Sequence, residues 1–187
     1  TVYANQEDRK SQTEKNIRDY VKKLLGRIVF IQFLQKKGWM GVPQDSTWGS
    51  GDTAFLKNLF KYSTEAQQEN FLDEVLEPVF SNALDSDRRD NNDLFDTNVN
   101  FASGSIVKIP YLNGGLFERD SLDELQVRFP KEYFADLFDL FDQYNFTIDE
   151  NDPNDAVVGV DPEMLGLIFE NLLEDNKDKG AFYTPKK

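Results

Sequence analysis

The chain has 187 residues, 39% of them hydrophobic and 13% aromatic, with 16 Phe. A folded chain of this length buries roughly 70% of its unfolded surface, so one domain with a real core is expected. The formal charge of −13, from 34 acidic and 21 basic residues, argues against unaided grip on nucleic acid or on an anionic membrane. With no Cys and no His, disulfides, thiol nucleophiles, Cys/His zinc sites and imidazole catalysis are all excluded.

Thr1 to Thr13 is polar and is expected to form a flexible arm. Ile17, Tyr20, Val21, Leu24, Leu25, Ile28, Val29 and Ile31 then recur at spacings of three and four, which predicts a helix from about Glu14 to Lys37. Lys36 and Lys37 suit the negative end of its dipole, and Gly38 stops it. "GWMGVPQDSTWGSGD" follows as a loop, with Trp39 and Trp48 expected to lid a core. "TAFLKNLFKY" predicts a short helix with Phe55, Leu56, Leu59 and Phe60 on one face. "STEAQQENFLDEVLEPVFSNAL" predicts another, opened by Ser63 or Thr64 and kinked or broken at Pro78.

The helical period disappears between Asp85 and Pro110. "DSDRRDNNDLFD" reads as a solvated loop, and "VNFASGSIVKIPYL" as one or two short strands around a Gly turn. Helices resume in "SLDELQVRF" and in "PKEYFADLFDLFDQYNF", where Phe134, Leu137, Phe138 and Phe141 form a stripe. "TIDENDPNDAVVGV" is a loop. In "DPEMLGLIFENLLED", Asp161 is the cap and Pro162 the first helical residue. The fold expected is mainly α: an irregular multi-helix domain with one or two short strands in the middle. The boundaries expected are an arm over 1–13, a helical domain over 14–178, and the start of another domain at 179–187.

Chemistry is sparse. Asp-x-Lys, a metal-nuclease element, occurs only at Asp8-Arg9-Lys10 and Asp175-Asn176-Lys177, both in polar contexts unlike a buried strand. "DENDPNDAVVGVD" lacks the fixed Gly and bidentate Glu of a calcium loop, so no metal site is expected. The glycines of "GSGD" and of Gly114-Gly115 lack the strand and helix of a phosphate-binding turn. No stretch is long and apolar enough to span a membrane, and a cysteine-free chain fits a cytoplasmic location. The basic residues gather on the first helix at Lys22, Lys23, Arg27, Lys36 and Lys37; ordinary helix solvation is the favoured reading and contact with DNA phosphates the alternative.

Four blocks in this order resemble a known family: "RIVFIQFLQKKGWM" (Arg27 to Met40), "IPYLNGGLFE" (Ile109 to Glu118), "YNFTIDEN…VDPEMLGLIFENLLE" (Tyr144 to Glu174) and "KGAFYTPKK" (Lys179 to Lys187). They resemble the segment just before the catalytic core of adenine-specific (N6) DNA methyltransferases, including fused type II restriction–modification and phage-defence enzymes. The resemblance implies a helical spacer that supports an S-adenosylmethionine-dependent domain. Gly180, Phe182, Tyr183, Thr184 and Pro185 match the block that folds onto the cofactor pocket. A helix opened by Thr184 and Pro185 would aim free N–H groups at the cofactor carboxylate. The glycine-rich cofactor motif and the Asn/Asp-Pro-Pro-aromatic motif of that family do not occur here. The resemblance therefore implies no catalytic residue in this chain and no cofactor bound by it alone. DNA would be met through a parent protein that could also cut DNA, with this segment touching the methyltransferase domain intramolecularly. The alternative from the residues alone is a stand-alone acidic helical module for protein interaction.

Overall fold

A computed structural model describes residues 6–112, 115–125 and 127–143. All lie in the unit Thr1–Tyr144. The predicted "DPEMLGLIFENLLED" helix and residues 179–187 fall outside them.

Helix α1 spans Gln6–Lys36 and so begins inside the segment expected to be an arm. Its buried stripe is Tyr20, Leu24, Ile28, Ile31 and Leu34. The stop is as expected. Gly38 takes φ +68°, its N–H reaches the Gln35 carbonyl at 2.9 Å, and the Trp39 N–H reaches the Leu34 carbonyl at 3.0 Å. This pair of bonds satisfies the orphan carbonyls of a helix end, and Gly tolerates the left-handed turn. The Gly38 carbonyl then accepts both Gly49 N–H (3.1 Å) and Gly51 N–H (2.8 Å), closing the following loop at its neck. A Cβ on Gly38 would lie 2.2 Å from the Gly49 oxygen. Trp39 and Trp48 do not lid the core: they are 40% and 44% exposed. The closed neck holds their loop outward.

Helix α2 (Phe55–Tyr62) buries Phe55, Leu56 and Leu59 as its spacing predicts. Helix α3 (Glu65–Glu69) starts at Thr64 with a reciprocal cap to Gln67. Beyond it the chain stays helical but widens to i→i+5 turns over Leu72–Leu76 and Val79–Leu84. Pro78 keeps helical angles (φ −58°, ψ −38°) between them. The run does not break there. The wider turns on either side accommodate a residue that has no N–H to donate.

The middle segment corrects the mainly-α expectation: the domain is mixed. Strands β1 (Val42–Pro43), β2 (Leu94–Phe101) and β3 (Gly104–Lys108) form an antiparallel sheet in the order β1-β3-β2. Phe95 pairs with Val107 and Asp96 with Ile106, after which the β2–β3 register slips before Phe101 pairs with Gly104. Asn98, at φ +56°, sits in that irregularity. Val107 is buried while Ile106 is 45% exposed, the alternation of a one-faced strand.

Residues 121–125 make turns rather than a helix, and α4 follows over Lys131–Phe141. The core joins α1, α2, the wide-turn helix, the sheet and α4. Phenylalanines dominate one side. Phe71 meets Phe60, Phe134 and Phe138 edge-on, with ring centroids 5.0, 5.2 and 6.1 Å away. Among the described residues no helix is long and apolar enough to cross a membrane.

Candidate functional site

Arg27 lies three residues after Leu24 and four before Ile31, on the apolar stripe of α1. Its side chain is 2% exposed. A guanidinium there must be paired, because an uncompensated buried charge is severely disfavoured. The partner comes from 96 residues away. Nη1 donates to Asp123 Oδ1 at 2.7 Å and Nη2 to Asp123 Oδ2 at 3.2 Å. Two further donors take backbone carbonyls: Nε that of Leu116 at 2.9 Å and Nη2 that of Glu118 at 3.0 Å. The ring of Phe80 lies beneath, 5.3 Å from the guanidinium carbon.

Lys23, one turn earlier, completes the clamp. Its ammonium reaches Asp123 at 2.7 Å and Asp120 at 2.8 Å. The Asp120 N–H donates to Asp123 Oδ2 at 3.0 Å, and the Leu122 N–H to Asp120 Oδ1 at 2.7 Å. Phe117 packs between Phe30 and Phe80, with centroids 6.0 and 5.8 Å away. Burial by itself would raise the Asp123 carboxyl. The hydrogen bonds from Arg27, Lys23 and Asp120 outweigh it and hold Asp123 below the ordinary aspartate range. The clamp thus binds the first of the four sequence blocks, through Arg27, to the second, through Leu116 and Glu118.

Outside the clamp opens a cleft of about 380 Å³ lined by Tyr20, Asp73, Glu77, Ser81, Arg119 and Glu124 among others. Glu77 and Pro78 occupy the two positions between the wide turns, a local geometry frequent at functional sites. Tyr20 donates to Glu77 Oε1 at 3.4 Å. Burial raises the Glu77 carboxyl, the negative Asp123 adds to the rise, and Arg119, Arg27 and the Tyr20 hydroxyl oppose it. The Tyr20 phenol is pushed up by burial and by the carboxylates of Glu77 and Asp123. A desolvated carboxyl with a charge partner in a cleft marks a candidate site by physical criteria. Among the described residues no group of acidic side chains could hold a metal ion. The arrangement can accept hydrogen bonds and hold a proton.

The residues singled out from sequence fare unevenly. Gly180, Phe182, Tyr183, Thr184 and Pro185 lie outside the described residues. Of the basic cluster on α1, Arg27 and Lys23 are taken up by the clamp and are not solvated. Lys36 and Lys37 are exposed, and Lys37 sits 5.5 Å from the centre of the Trp39 ring. Nothing in the sequence groups Asp123, Glu77 and Tyr20 as a set. The available signal was a cation on an apolar stripe, which demands a distant acid without saying which one.

A protein of Methanocaldococcus jannaschii, named provisionally as a type II restriction enzyme and methyltransferase, is 28% identical over 170 residues. The aligned region covers 87% of this chain and 13% of that protein. This chain therefore spans about an eighth of the relative it matches. The similarity relates the chain to restriction–modification proteins. No protein-family model and no solved structure matches it.

Proposed function

We propose that this chain is the support region of a DNA adenine-N6 methyltransferase of restriction–modification or phage-defence type. In this reading it positions an S-adenosylmethionine-dependent catalytic domain that follows it. The observation that carries the proposal is the likeness along 87% of the chain to a restriction–modification protein of which it is only 13%. A segment that forms so small a share of its relative suits an accessory role within a larger enzyme.

The clamp fits such a role. Arg27, through the Leu116 and Glu118 carbonyls, joins the blocks "RIVFIQFLQKKGWM" and "IPYLNGGLFE", so sequence features that carry the resemblance coincide with part of what holds α1 to the segment after the sheet. A buried bidentate ion pair fixes a single geometry, and a support that orients a catalytic pocket needs one. On the same reading Gly180, Phe182, Tyr183, Thr184 and Pro185 form one wall of the cofactor pocket. The methyl group would pass from S-adenosylmethionine to adenine N6 on residues beyond this chain, and DNA would be held by the larger protein.

The test compares the 187-residue chain with a longer protein that includes the following domain. The longer protein should transfer labelled methyl groups from S-adenosylmethionine to adenine in unmethylated DNA. Asp123→Asn should lower that rate by loosening the support. The short chain should give no measurable heat with S-adenosylmethionine. Absence of adenine methylation by the longer protein, or a micromolar Kd for the short chain, would overturn the reading.

A further inference from the structure

On α2, Phe55, Asn58 and Tyr62 are spaced three and four apart and share one face. Phe55 is fully buried and stacks on Phe101 of β2, with centroids 5.8 Å apart and planes at 23°. Tyr62 meets Phe101 edge-on at 6.2 Å and is 46% exposed. These rings, with Asp52, Asn58 and Ser103, line an open cleft of about 200 Å³ between α2 and the β2–β3 turn. That is smaller than the roughly 300–1,000 Å³ of sites for drug-sized ligands, and suits one planar heterocycle.

The polar side of the cleft is ordered. Asp52 accepts the Ala54 N–H at 2.8 Å and Asn58 Nδ2 at 2.7 Å. An ionised carboxylate only accepts, so the nitrogen of the Asn58 carboxamide must face it. One amide hydrogen and the Asn58 carbonyl oxygen are left for a ligand. A donor and an acceptor on a fixed Asn match a base edge that offers an acceptor and an amine, the pattern of adenine N7 and N6. The Lys61 ammonium lies 5.5 Å from the Tyr62 ring centre.

We propose that this cleft holds a single unstacked nucleobase of DNA, with the Tyr62 ring as the stacking face, Phe101 beside it and Asn58 as the reader of an adenine edge. The inference rests on the reading of the parent as a DNA-modifying enzyme, and adds a direct nucleotide contact by the support region. Because the chain carries a net charge of −13, the hold comes from stacking rather than phosphate neutralisation. Binding by the short chain should be modest and nearly independent of salt.

The experiment titrates the 187-residue chain with deoxyadenosine monophosphate, thymidine monophosphate and deoxyribose 5-phosphate, following the Asn58 side-chain amide and the Tyr62 ring by NMR. Deoxyadenosine monophosphate should shift both saturably and bind about fivefold more tightly than thymidine monophosphate. Deoxyribose 5-phosphate should leave both unmoved. Asn58→Ala should abolish the adenine preference while keeping stacking. Tyr62→Ala should lose binding and Tyr62→Phe should keep it, each variant being checked for native methyl shifts. Equal shifts from the sugar phosphate, no saturable shift with deoxyadenosine monophosphate, or undiminished affinity in folded Tyr62→Ala would each overturn the proposal. Methyl transfer by the longer protein is read separately. Base binding without methylation would sink the support function and leave the cleft, and methylation without base binding would do the reverse.

Discussion

Two arginines tie this domain together, one buried (Arg27) and one half-buried (Arg88), and their charges are met in opposite ways. Arg27 meets one carboxylate, which it shares with Lys23, and two carbonyls, so its charge is balanced by charge. Arg88 meets only dipoles. Its guanidinium donates to the carbonyls of Asp93 (2.8 Å), Leu94 (3.0 Å) and Ile109 (3.0 Å) and to that of Ala83, and lies 5.5 Å from the Phe95 ring centre. Burial lowers the Arg88 pKa from the usual arginine value, with nearby Asp93 acting the other way. Its Nε and Asp93 Oδ1 are buried without a protein partner. The difference follows from what each joins. Arg27 holds two distant segments in register, which needs a directional, bidentate bond. Arg88 gathers the free carbonyls at the end of a helix and the edges of two strands, which needs many donors and no acid.

The comparison breaks hardest at Asp123. Asp123→Ala leaves Arg27 buried without its counter-charge, and should cost about 3–5 kcal/mol in denaturant unfolding. The double variant Arg27→Met with Asp123→Leu removes both charges and should recover much of that loss. If the single substitution costs no more than a surface change, the clamp is not what holds α1 to residues 115–125. Arg88→Met removes donors from several carbonyls but breaks no ion pair, so about 2 kcal/mol is expected from the same measurement.

Acid separates the two further. The folded Asp123 pKa lies below its unfolded value of about 3.9, so its contribution is complete above that value and is lost as pH falls through the folded pKa. The coupling between Arg27 and Asp123, measured by a double-mutant cycle, should therefore hold from pH 7 to about 5 and shrink below about 4. The cost of Arg88→Met should change less over the same range, since its hydrogen-bond partners are carbonyls and do not titrate. A coupling that persists unchanged at pH 2 would contradict the ionic account of the clamp.

Local signals made much of this fold legible. Helices α1, α2 and α4 follow apolar spacing, Thr64 announces a cap, and Gly38 announces a stop because only a left-handed residue closes that turn. The sheet was half legible. Gly104 marks the β2–β3 hairpin, but β1 is two residues inside a Gly- and Pro-rich loop, and β2 begins within an acidic stretch that reads as solvated. There Arg88 holds the backbone of Asp93 and Leu94, an organising bond that propensity does not express. The wide helical turns around Pro78 leave no distinctive period either. At the candidate site, Arg27 reads like Lys22 and Lys23 one turn earlier, and the three together resemble a wet face. Only the long-range meeting with Asp123 distinguishes the two cases, and a single sequence holds no record of that pairing.

Tyr20→Phe should give the smallest effect and test the cleft beside the clamp. The 3.4 Å contact from Tyr20 to Glu77 is long for a hydroxyl donor, so its loss should cost less than about 1 kcal/mol. Its clearer signature is electrostatic. Glu77 is already raised by burial and by Asp123, and the Tyr20 hydroxyl is one of the groups that restrain it. Because a raised carboxyl stabilises the fold most below its unfolded pKa, about 4.3, Glu77 works against the neutral-pH form that Asp123 supports. Removing the hydroxyl should move the Glu77 titration, followed through its carboxyl carbon by NMR, further upward. The unfolding penalty of Tyr20→Phe should correspondingly be larger at pH 7 than at pH 4. A downward move would mean that the phenol desolvates Glu77 more than it stabilises the carboxylate, reversing the role assigned to it.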